Sequence, residues 1–354
     1  MIKLLPGDPA PSFFAVTRTN PRYAFDMAAG RYLLLALVAN GDDAFVETVE
    51  RVLAEQAPDG EILAFFGLTR DADRWNRCED RLPGARWMLD QPGEAFAALG
   101  ASEGPGWSGW VLVDPNFRVL LTLPAAETER LAKILPGLPL PAAHAGFDLL
   151  APVLVIPRVF EVELCQALIA AYDADGGEAS GFMREVDGKT VEVRDPNHKI
   201  RRDLVLAPGE LRDAVRARIH RRLAPQIAKA FQFKATRMER DLVACYDAAD
   251  NGFFRAHRDN TTKGTAHRRF AVTINLNADD YEGGDLHFPE FGPRGYRAPT
   301  GGAVVFSCSL LHEALPVTYG KRYAFLPFLY DEAAAQVREQ NVEHVGIDGY
   351  RYTA

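Results

Sequence analysis

The sequence predicts two domains: an N-terminal α/β layer fold and a C-terminal α+β fold whose strands suit a sandwich or jelly roll with supporting helices. Three observations predict this. The chain has 354 residues, more than one ordinary hydrophobic core supports. A proline-rich stretch, Leu135-Pro136-Gly137-Leu138-Pro139-Leu140-Pro141, interrupts the pattern and reads as a linker. The grammar also changes across it. Strands and helices alternate before the linker, whereas short strands separated by Gly, Pro and Asp turns follow it. These signals place domains at residues 1–138 and 148–334, a linker at 139–147 and a C-terminal tail at 335–354.

In the first half, residues 33–38 form an unbroken apolar run, the mark of a strand buried on both faces. Residues 43–56 have the apolar spacing of an amphipathic helix. A second buried strand is expected at 61–67, a short helix at 94–99 and a strand at 109–113. Its hairpin partner at 117–123 follows across Asp114-Pro115-Asn116, and a helix at 127–135 closes the half. In the second half, 161–173 and 211–231 read as helices, the latter starting after Pro208-Gly209. Short strands are then expected at 241–246, 270–276, 285–288, 303–306 and 322–330.

Composition narrows the function classes. Hydrophobic residues make up 47% and charged residues 25%, the mix of a soluble globular chain. The net charge of -8 and pI near 5.6 disfavour nucleic acid as a partner. Arg216, Arg218, Arg221 and Arg222 cluster on an expected helix and read as a solvated face. The longest apolar run, Tyr32 to Ala39, falls short of the ~20 residues a membrane helix needs. The N-terminus, Met1-Ile2-Lys3-Leu4-Leu5-Pro6-Gly7, breaks too early for a signal-peptide core. Cys78, Cys165, Cys245 and Cys308 show no paired spacing, which suits a reducing cytoplasm. Nothing in the sequence specifies an oligomeric state.

His257-Arg258-Asp259 is the first pointer to chemistry. On an extended segment the period of two puts His257 and Asp259 on one face, two thirds of a facial triad for iron(II). Alone the pair is weak, because a chain with 8 histidines produces such pairs by chance. Downstream, the expected strand 303–306 leads through a loop to His312, where a third ligand must arise. Ten residues further, Arg322 opens the final strand, and a guanidinium suits a dicarboxylate because it binds a carboxylate through two parallel hydrogen bonds. The alternation at 270–276 sends Phe270, Val272, Ile274 and Leu276 to one face. Thr273 and Asn275 share the other, a polar face fit to line a ligand cavity.

The segment from Ala244 to Tyr330 resembles the catalytic core of the prolyl-4-hydroxylase group of 2-oxoglutarate/iron(II) oxygenases. The resemblance runs through Ala244-Cys245-Tyr246, His257-Arg258-Asp259-Asn260, Val272 to Asn277, Gly283-Gly284-Asp285-Leu286, Pro299, Gly302, Phe306, His312-Glu313, Val317 and Gly320-Lys321-Arg322-Tyr323. It extends more loosely back to about Leu150, where Phe160 to Tyr172 is similar to the helical support. It implies a double-stranded β-helix, with His257, Asp259 and His312 as iron ligands and Arg322 on the distal carboxylate of 2-oxoglutarate. Tyr246 and Asn275 match positions that line the co-substrate pocket. The implied cofactors are Fe(II), 2-oxoglutarate and O2, with ascorbate as a candidate reductant. The implied reaction hydroxylates a C–H bond and releases succinate and CO2. A peptidyl, prolyl-type or amino-acid side chain is the first expectation for substrate. A free small metabolite, or a non-catalytic iron/2-oxoglutarate sensor with an interaction module, are the alternatives.

Other residues get plainer readings. His267 and His287 are expected in surface or supporting roles, and Phe253 and Phe254 in packing. Gly283-Gly284 and Gly301-Gly302 read as strand-entry turns, since no helix start follows them. Residues 176–202, with a hairpin-like Val186-Asp187-Gly188-Lys189-Thr190 turn, read equally as a lid or as a surface hairpin.

The opening Gly7-Asp8-Pro9-Ala10-Pro11-Ser12-Phe13 resembles a peroxiredoxin, and the strand–helix order over about 1–135 is similar to a thioredoxin-like fold. That family places its reactive cysteine near the start of the helix after the first buried strand. Here Ala39-Asn40-Gly41-Asp42-Asp43-Ala44-Phe45-Val46 holds none, and Cys78 lies too far along. Thiol peroxidase chemistry loses its nucleophile, leaving a binding or scaffolding role.

Overall fold

The computed structural model describes residues 4–100 and 107–346. The first residues of the N-terminal reading, Met1-Ile2-Lys3, and the end of the expected tail, 347–354, lie outside the described residues. Contacts divide the chain into two compact units. One comprises Met1–Ala151 with Pro289–Pro293, the other Pro152–Phe288 with Arg294–Ala354.

The first unit is built on a five-stranded sheet in the order Ala85–Leu89, Leu63–Thr69, Tyr32–Val38, Gly109–Val113, Val119–Pro124. Tyr32–Val38 sits centrally, parallel to Leu63–Thr69 and antiparallel to Gly109–Val113. All seven of its residues are buried, which accounts for its unbroken apolar run. Helix Asp43–Gln56 starts where the Asp42 carboxylate accepts the Phe45 N–H, and it buries Phe45, Val49, Val52 and Leu53. These pack with Trp87 and Trp110 from the sheet.

Two boundaries differ from expectation for local reasons. The second strand starts at Leu63, because the Asp59 carboxylate accepts the Glu61 and Ile62 N–H groups, both at 2.8 Å, and holds them in a turn. The last strand starts at Val119, because Phe117 takes a left-handed φ of 58° inside the hairpin turn. Strand Ala85–Leu89 and helix Ala72–Arg77 were not anticipated; both are too short to display a period.

In the segment 39–46, Asp43 accepts a hydrogen bond from Arg74 at 3.0 Å, and the same guanidinium donates to the Ala39 carbonyl at 2.8 Å. Arg74 itself is buried. Cys78 is buried as well, and burial pushes its thiol up.

The second unit carries a nine-stranded sheet. Its main path runs Arg237–Glu239, Phe328–Tyr330, Phe270–Asn275, Lys321–Phe325, Leu242–Asp247, Arg202–Val205, Glu178–Ala179. Ala303–Ser307 pairs with Phe270–Asn275 and with Leu154–Ile156. A separate five-stranded sheet runs Lys199–Ile200, Phe253–His257, His312–Ala314, Leu286–His287, Gly295–Tyr296. Neighbouring strands in both sheets are antiparallel. This is the strand-rich roll expected, with helices supporting one face of the larger sheet.

That face is apolar by alternation. Val272, Ile274 and Leu276 pack with Val243, Tyr323 and Phe325, beneath Leu164, Leu168, Val215, Ile219 and Ile227 of the helices. The helix expected at 211–231 is one rod with an irregular middle: Glu210–Arg218, a π-helical turn Ile219–Leu223, then Ala224–Phe231. Pro225 lacks an N–H, and the wider turn just before it relieves the ladder. The strand expected at 322–330 splits into Lys321–Phe325 and Phe328–Tyr330 on either side of Pro327. The expected tail at 335 begins inside a helix, Glu332–Gln340, capped by Asp331. Phe182–Val186 and Lys189–Val193 form a hairpin whose Asp187 and Gly188 both take positive φ, as a two-residue turn requires.

Three of the four clustered arginines are held by carboxylates. Arg216 grips Asp241 at 3.0 and 2.6 Å, and Arg218 and Arg222 share Glu161. No helix among the described residues is long and apolar enough to cross a membrane.

Cys78→Ser should leave peroxide consumption at the buffer rate in a thiol-coupled assay, as in the parent protein. A buried thiol with a raised pKa supplies almost no thiolate at pH 7. Cysteine-dependent peroxide turnover would overturn this reading of the first unit.

Candidate metal centre

The strands Phe253–His257 and His312–Ala314 pair antiparallel with His257 opposite His312, after a register irregularity between Phe254 and His257. Their imidazole centroids lie 4.3 Å apart. Two residues past His257, the Asp259 N–H donates to the Cys308 carbonyl at 3.0 Å, which ties the chain to the loop before His312. The Asp259 carboxylate then reaches both rings: Oδ1 is 3.6 Å from His257 Nε2 and Oδ2 is 3.3 Å from His312 Nε2. One donor atom from each of the three residues lies within 4.8 Å of the others.

Backbone carbonyls orient the imidazoles. His257 Nδ1 is 2.8 Å from the Arg255 carbonyl oxygen and His312 Nδ1 is 3.0 Å from that of Leu310. A proton on Nδ1 satisfies each carbonyl and leaves the Nε2 lone pairs turned toward Asp259. Burial, and then the neighbouring His257, push His312 down to about 4, so it is neutral at pH 7. Burial alone would raise Asp259, but the neighbouring His312 and then His257 outweigh it and hold the carboxyl well below the usual range. Two imidazoles and one carboxylate, without thiolate, fit iron(II) with positions left open. Hydrocarbon walls them in: Phe254 stacks on His257 at 3.6 Å and Phe306 meets His312 edge-on at 4.5 Å.

A cavity of about 70 Å³ adjoins these residues, and Tyr246, Thr273, Arg322 and Phe328 line it. Arg322 pairs across the strands with Tyr246, and its guanidinium lies 5.1 Å from the centre of that ring. The residue is only 3% exposed, yet its Nε and Nη1 have no hydrogen-bond partner. An uncompensated buried cation costs several kcal/mol, so the cavity is built for an anion at this end. Lys321 takes the opposite side of the strand, exposed and 3.3 Å from Asp247.

The Tyr246 hydroxyl accepts from Arg201 Nη1 at 3.3 Å. Asn275 is buried on the same strand as Thr273, does not line the cavity, and donates from Nδ2 to the Ala298 carbonyl at 2.7 Å. The structure therefore brings together His257, Asp259, His312, Arg322 and Tyr246, with Asn275 set behind them.

Sequence reasoning missed Arg201 and Arg240 as cavity residues, whereas Thr273 lies on the polar face expected to line one. A signal for Arg201 existed: Lys199, Arg201 and Asp203 alternate along an extended segment, placing three charges on one face. Arg201 is buried and its guanidinium meets Asp203 at 2.6 and 2.5 Å.

Of the surface and supporting roles expected for His267, the structure shows the supporting one. The residue is buried and hydrogen-bonded to Glu239, which also accepts from Arg268 at 3.1 and 2.5 Å. Arg268 Nη1 in turn lies 3.3 Å from the Asp259 carbonyl, so this buried network braces the metal loop from behind. The polar sequence around His267 hid its burial because its charges neutralise one another internally. His287 is half-buried, 2.7 Å from Glu313. Phe182 of the hairpin lies 4.3 Å from the His198 ring, which meets Phe254 at 5.6 Å, so aromatic rings connect the hairpin to His257.

A β-roll carrying a His-Asp-His cluster beside a buried arginine without hydrogen bonds at Nε and Nη1 forms a candidate metal centre with a candidate anion pocket. Residues 242–330 match the model of the 2OG-Fe(II) oxygenase superfamily. Among curated proteins the chain is similar to a PKHD-type hydroxylase of Synechococcus sp. (strain JA-2-3B'a(2-13)), 33% identical over 89 residues, 23% of this chain and 39% of that protein. A PKHD-type hydroxylase of Pseudomonas fluorescens (strain Pf-5) is 33% identical over 116 residues, 30% of this chain and 50% of its own length. The chain thus spans half or less of the curated relatives it matches. A Pseudomonas putida prolyl-4-hydroxylase crystal structure aligns at 21% identity over 51% of this chain and 94% of that one, with a TM-score of 0.39.

His257→Ala and Asp259→Ala should each lose tight iron(II) binding in anaerobic titration while keeping the parent circular dichroism; retained binding in either would remove that residue from the donor set. The bracing network predicts an acid-sensitive fold. Burial would raise Glu239, but Arg268 and then His267 hold it below its ordinary range. Its stabilisation is present above the unfolded carboxyl pKa of about 4.3 and is lost as pH falls through the lower folded value. Glu239→Gln, leaving Arg268 buried without its counter-charge, should cost about 3–5 kcal/mol in urea denaturation at pH 7 and flatten the loss seen on acidification.

Proposed function

We propose that this protein is an iron(II)- and 2-oxoglutarate-dependent dioxygenase that hydroxylates a C–H bond of a peptidyl, prolyl-type or amino-acid side chain. The buried, unpaired guanidinium of Arg322, in one cavity with three metal-ligand side chains, carries this reading. A metal alone needs no such cation. A chelating dicarboxylate needs both, one end at the metal and the other at the arginine.

His257, Asp259 and His312 would hold the iron through Nε2, a carboxylate oxygen and Nε2. Arg322 would bind the distal carboxylate, with the Tyr246 ring along the cavity wall and Arg201 fixing the hydroxyl of that ring. Phe254 and Phe306 exclude water from the two imidazoles. When bound, iron(II) with 2-oxoglutarate and O2 supplies the oxidising chemistry, releasing succinate and CO2 as the substrate gains one oxygen atom.

The similarity to PKHD-type hydroxylases supports hydroxylation as the outcome. We assign this domain to residues 148–334. We read residues 1–138 as a thioredoxin-like, non-catalytic domain, a reading its central strand, flanked on one side by parallel and on the other by antiparallel partners, supports. The scattered free cysteines support a cytoplasmic site of action.

Succinate should form when protein, iron(II), 2-oxoglutarate and O2 are combined, and Asp259→Ala should abolish it; absence of succinate with a fully iron-loaded protein would sink the enzyme in favour of a sensor. Arg322→Ala should weaken 2-oxoglutarate by on the order of 2–5 kcal/mol and iron far less. Lys321→Ala should change neither, and an unaltered 2-oxoglutarate affinity in Arg322→Ala would reassign the anion site.

A further inference from the structure

Three guanidiniums line the metal cavity, those of Arg201, Arg240 and Arg322. Asp203 neutralises the first, and the second carboxylate of the co-substrate suits Arg322. Arg240 has only a loose ion pair, shared with other cations. Its Nε lies 3.8 Å from Glu239 Oε1, beyond hydrogen-bond reach, and that carboxylate is already held by Arg268 at 2.5 Å and by His267. The Arg240 guanidinium instead lies over Phe328, 5.0 Å from the ring centre. Stacking of this kind holds the plane and leaves its N–H edge available. The side chain is 21% exposed, so a solute can reach it. Its backbone takes φ 68°, a left-handed conformation that a residue with a β-carbon rarely adopts and that is met at functional sites.

Charge points the same way. The chain carries a net -8, yet the metal residues sit among cations. Arg184 and Arg255 act as positive charge on His198, whose ring abuts Phe254, and Arg258 does so on His312. In the loaded site, iron(II) and Arg322 together balance Asp259 and the two carboxylates of 2-oxoglutarate. Arg240, which shares Glu239 with Arg268 and His267, is left as the cavity's least compensated charge.

We propose that the substrate is an acidic peptide, bearing a carboxylate beside the residue that is hydroxylated, and that Arg240 holds that carboxylate and sets this specificity. The proposal rests on the hydroxylase reading above and specifies the substrate class of that site.

The test uses two peptide pools of identical design, one carrying Asp and Glu at the varied positions and the other Asn and Gln. Hydroxylated product from the mixed pools is counted by mass spectrometry. Binding of each labelled pool to the full-length protein, loaded with iron(II) and 2-oxoglutarate without O2, is read by fluorescence anisotropy. Wild type should prefer the acidic pool by about tenfold or more in both readouts, the scale of one charge-assisted hydrogen bond. Arg240→Gln should bring the ratio to about unity and Arg240→Glu should invert it. Because a ratio is read, a general loss of activity in a variant leaves it defined. If neither variant folds, the wild-type preference still decides, since it must shrink as salt rises. Equal use of both pools by wild type overturns the proposal, as does a preference that survives Arg240→Gln or is indifferent to salt. Failure of wild type to form any succinate would instead remove the hydroxylase reading, while the anisotropy ratio still decides the charge preference.

Discussion

The site depends on one cross-strand register. His257 and His312 come from positions 55 residues apart in the chain, and only antiparallel pairing of two short strands sets them opposite each other. A slip of one residue would turn one imidazole to the other face of its strand. Much of the second unit serves to pin that register. Leu286–His287 pairs on the far side of His312–Ala314, and Lys199–Ile200 pairs on the far side of Phe253–His257. Asp259 is tied to Cys308 by its own N–H. Each imidazole hydrogen-bonds to a carbonyl two residues before it, so the backbone that fixes the register also fixes the tautomer.

Around this frame, charge is distributed unevenly. Glu239 answers Arg268 and His267, Asp203 answers Arg201, and these buried groups are satisfied by near neighbours. Arg322 is not answered by any protein hydrogen bond at Nε or Nη1. Arg322 departs from that pattern beside the only His/Asp cluster of metal-binding geometry among the described residues. Local rules are broken where a ligand is to complete them.

Much of this was legible in the sequence. The apolar run at Tyr32–Val38, the helix at Asp43–Gln56 and the alternation of Val272, Ile274 and Leu276 each state their burial directly. The candidate ligands His257, Asp259 and His312, and the buried Arg322, could be picked out because their chemistry is specific in type and order. What escaped was decided by tertiary context. Strand Phe253–His257 carries an arginine amid aromatics and shows no period. His267 looked exposed because its neighbours are polar, and only the distant Glu239 makes its burial tolerable. Arg240 gave no sign at all, since its place in the cavity follows from a single left-handed residue between two strands. Asp59 and Phe117 moved strand starts by two residues through turn chemistry that periodicity does not report.

The unanswered guanidinium also has a thermodynamic side. A polypeptide that buries a lone cation sits above its own electrostatic minimum, and whatever anion pairs with that cation draws the folded state down by mass action. Such a ligand acts as a missing piece of the core as well as a reactant. The resistance of this domain to heat and proteases is then coupled to the supply of that anion.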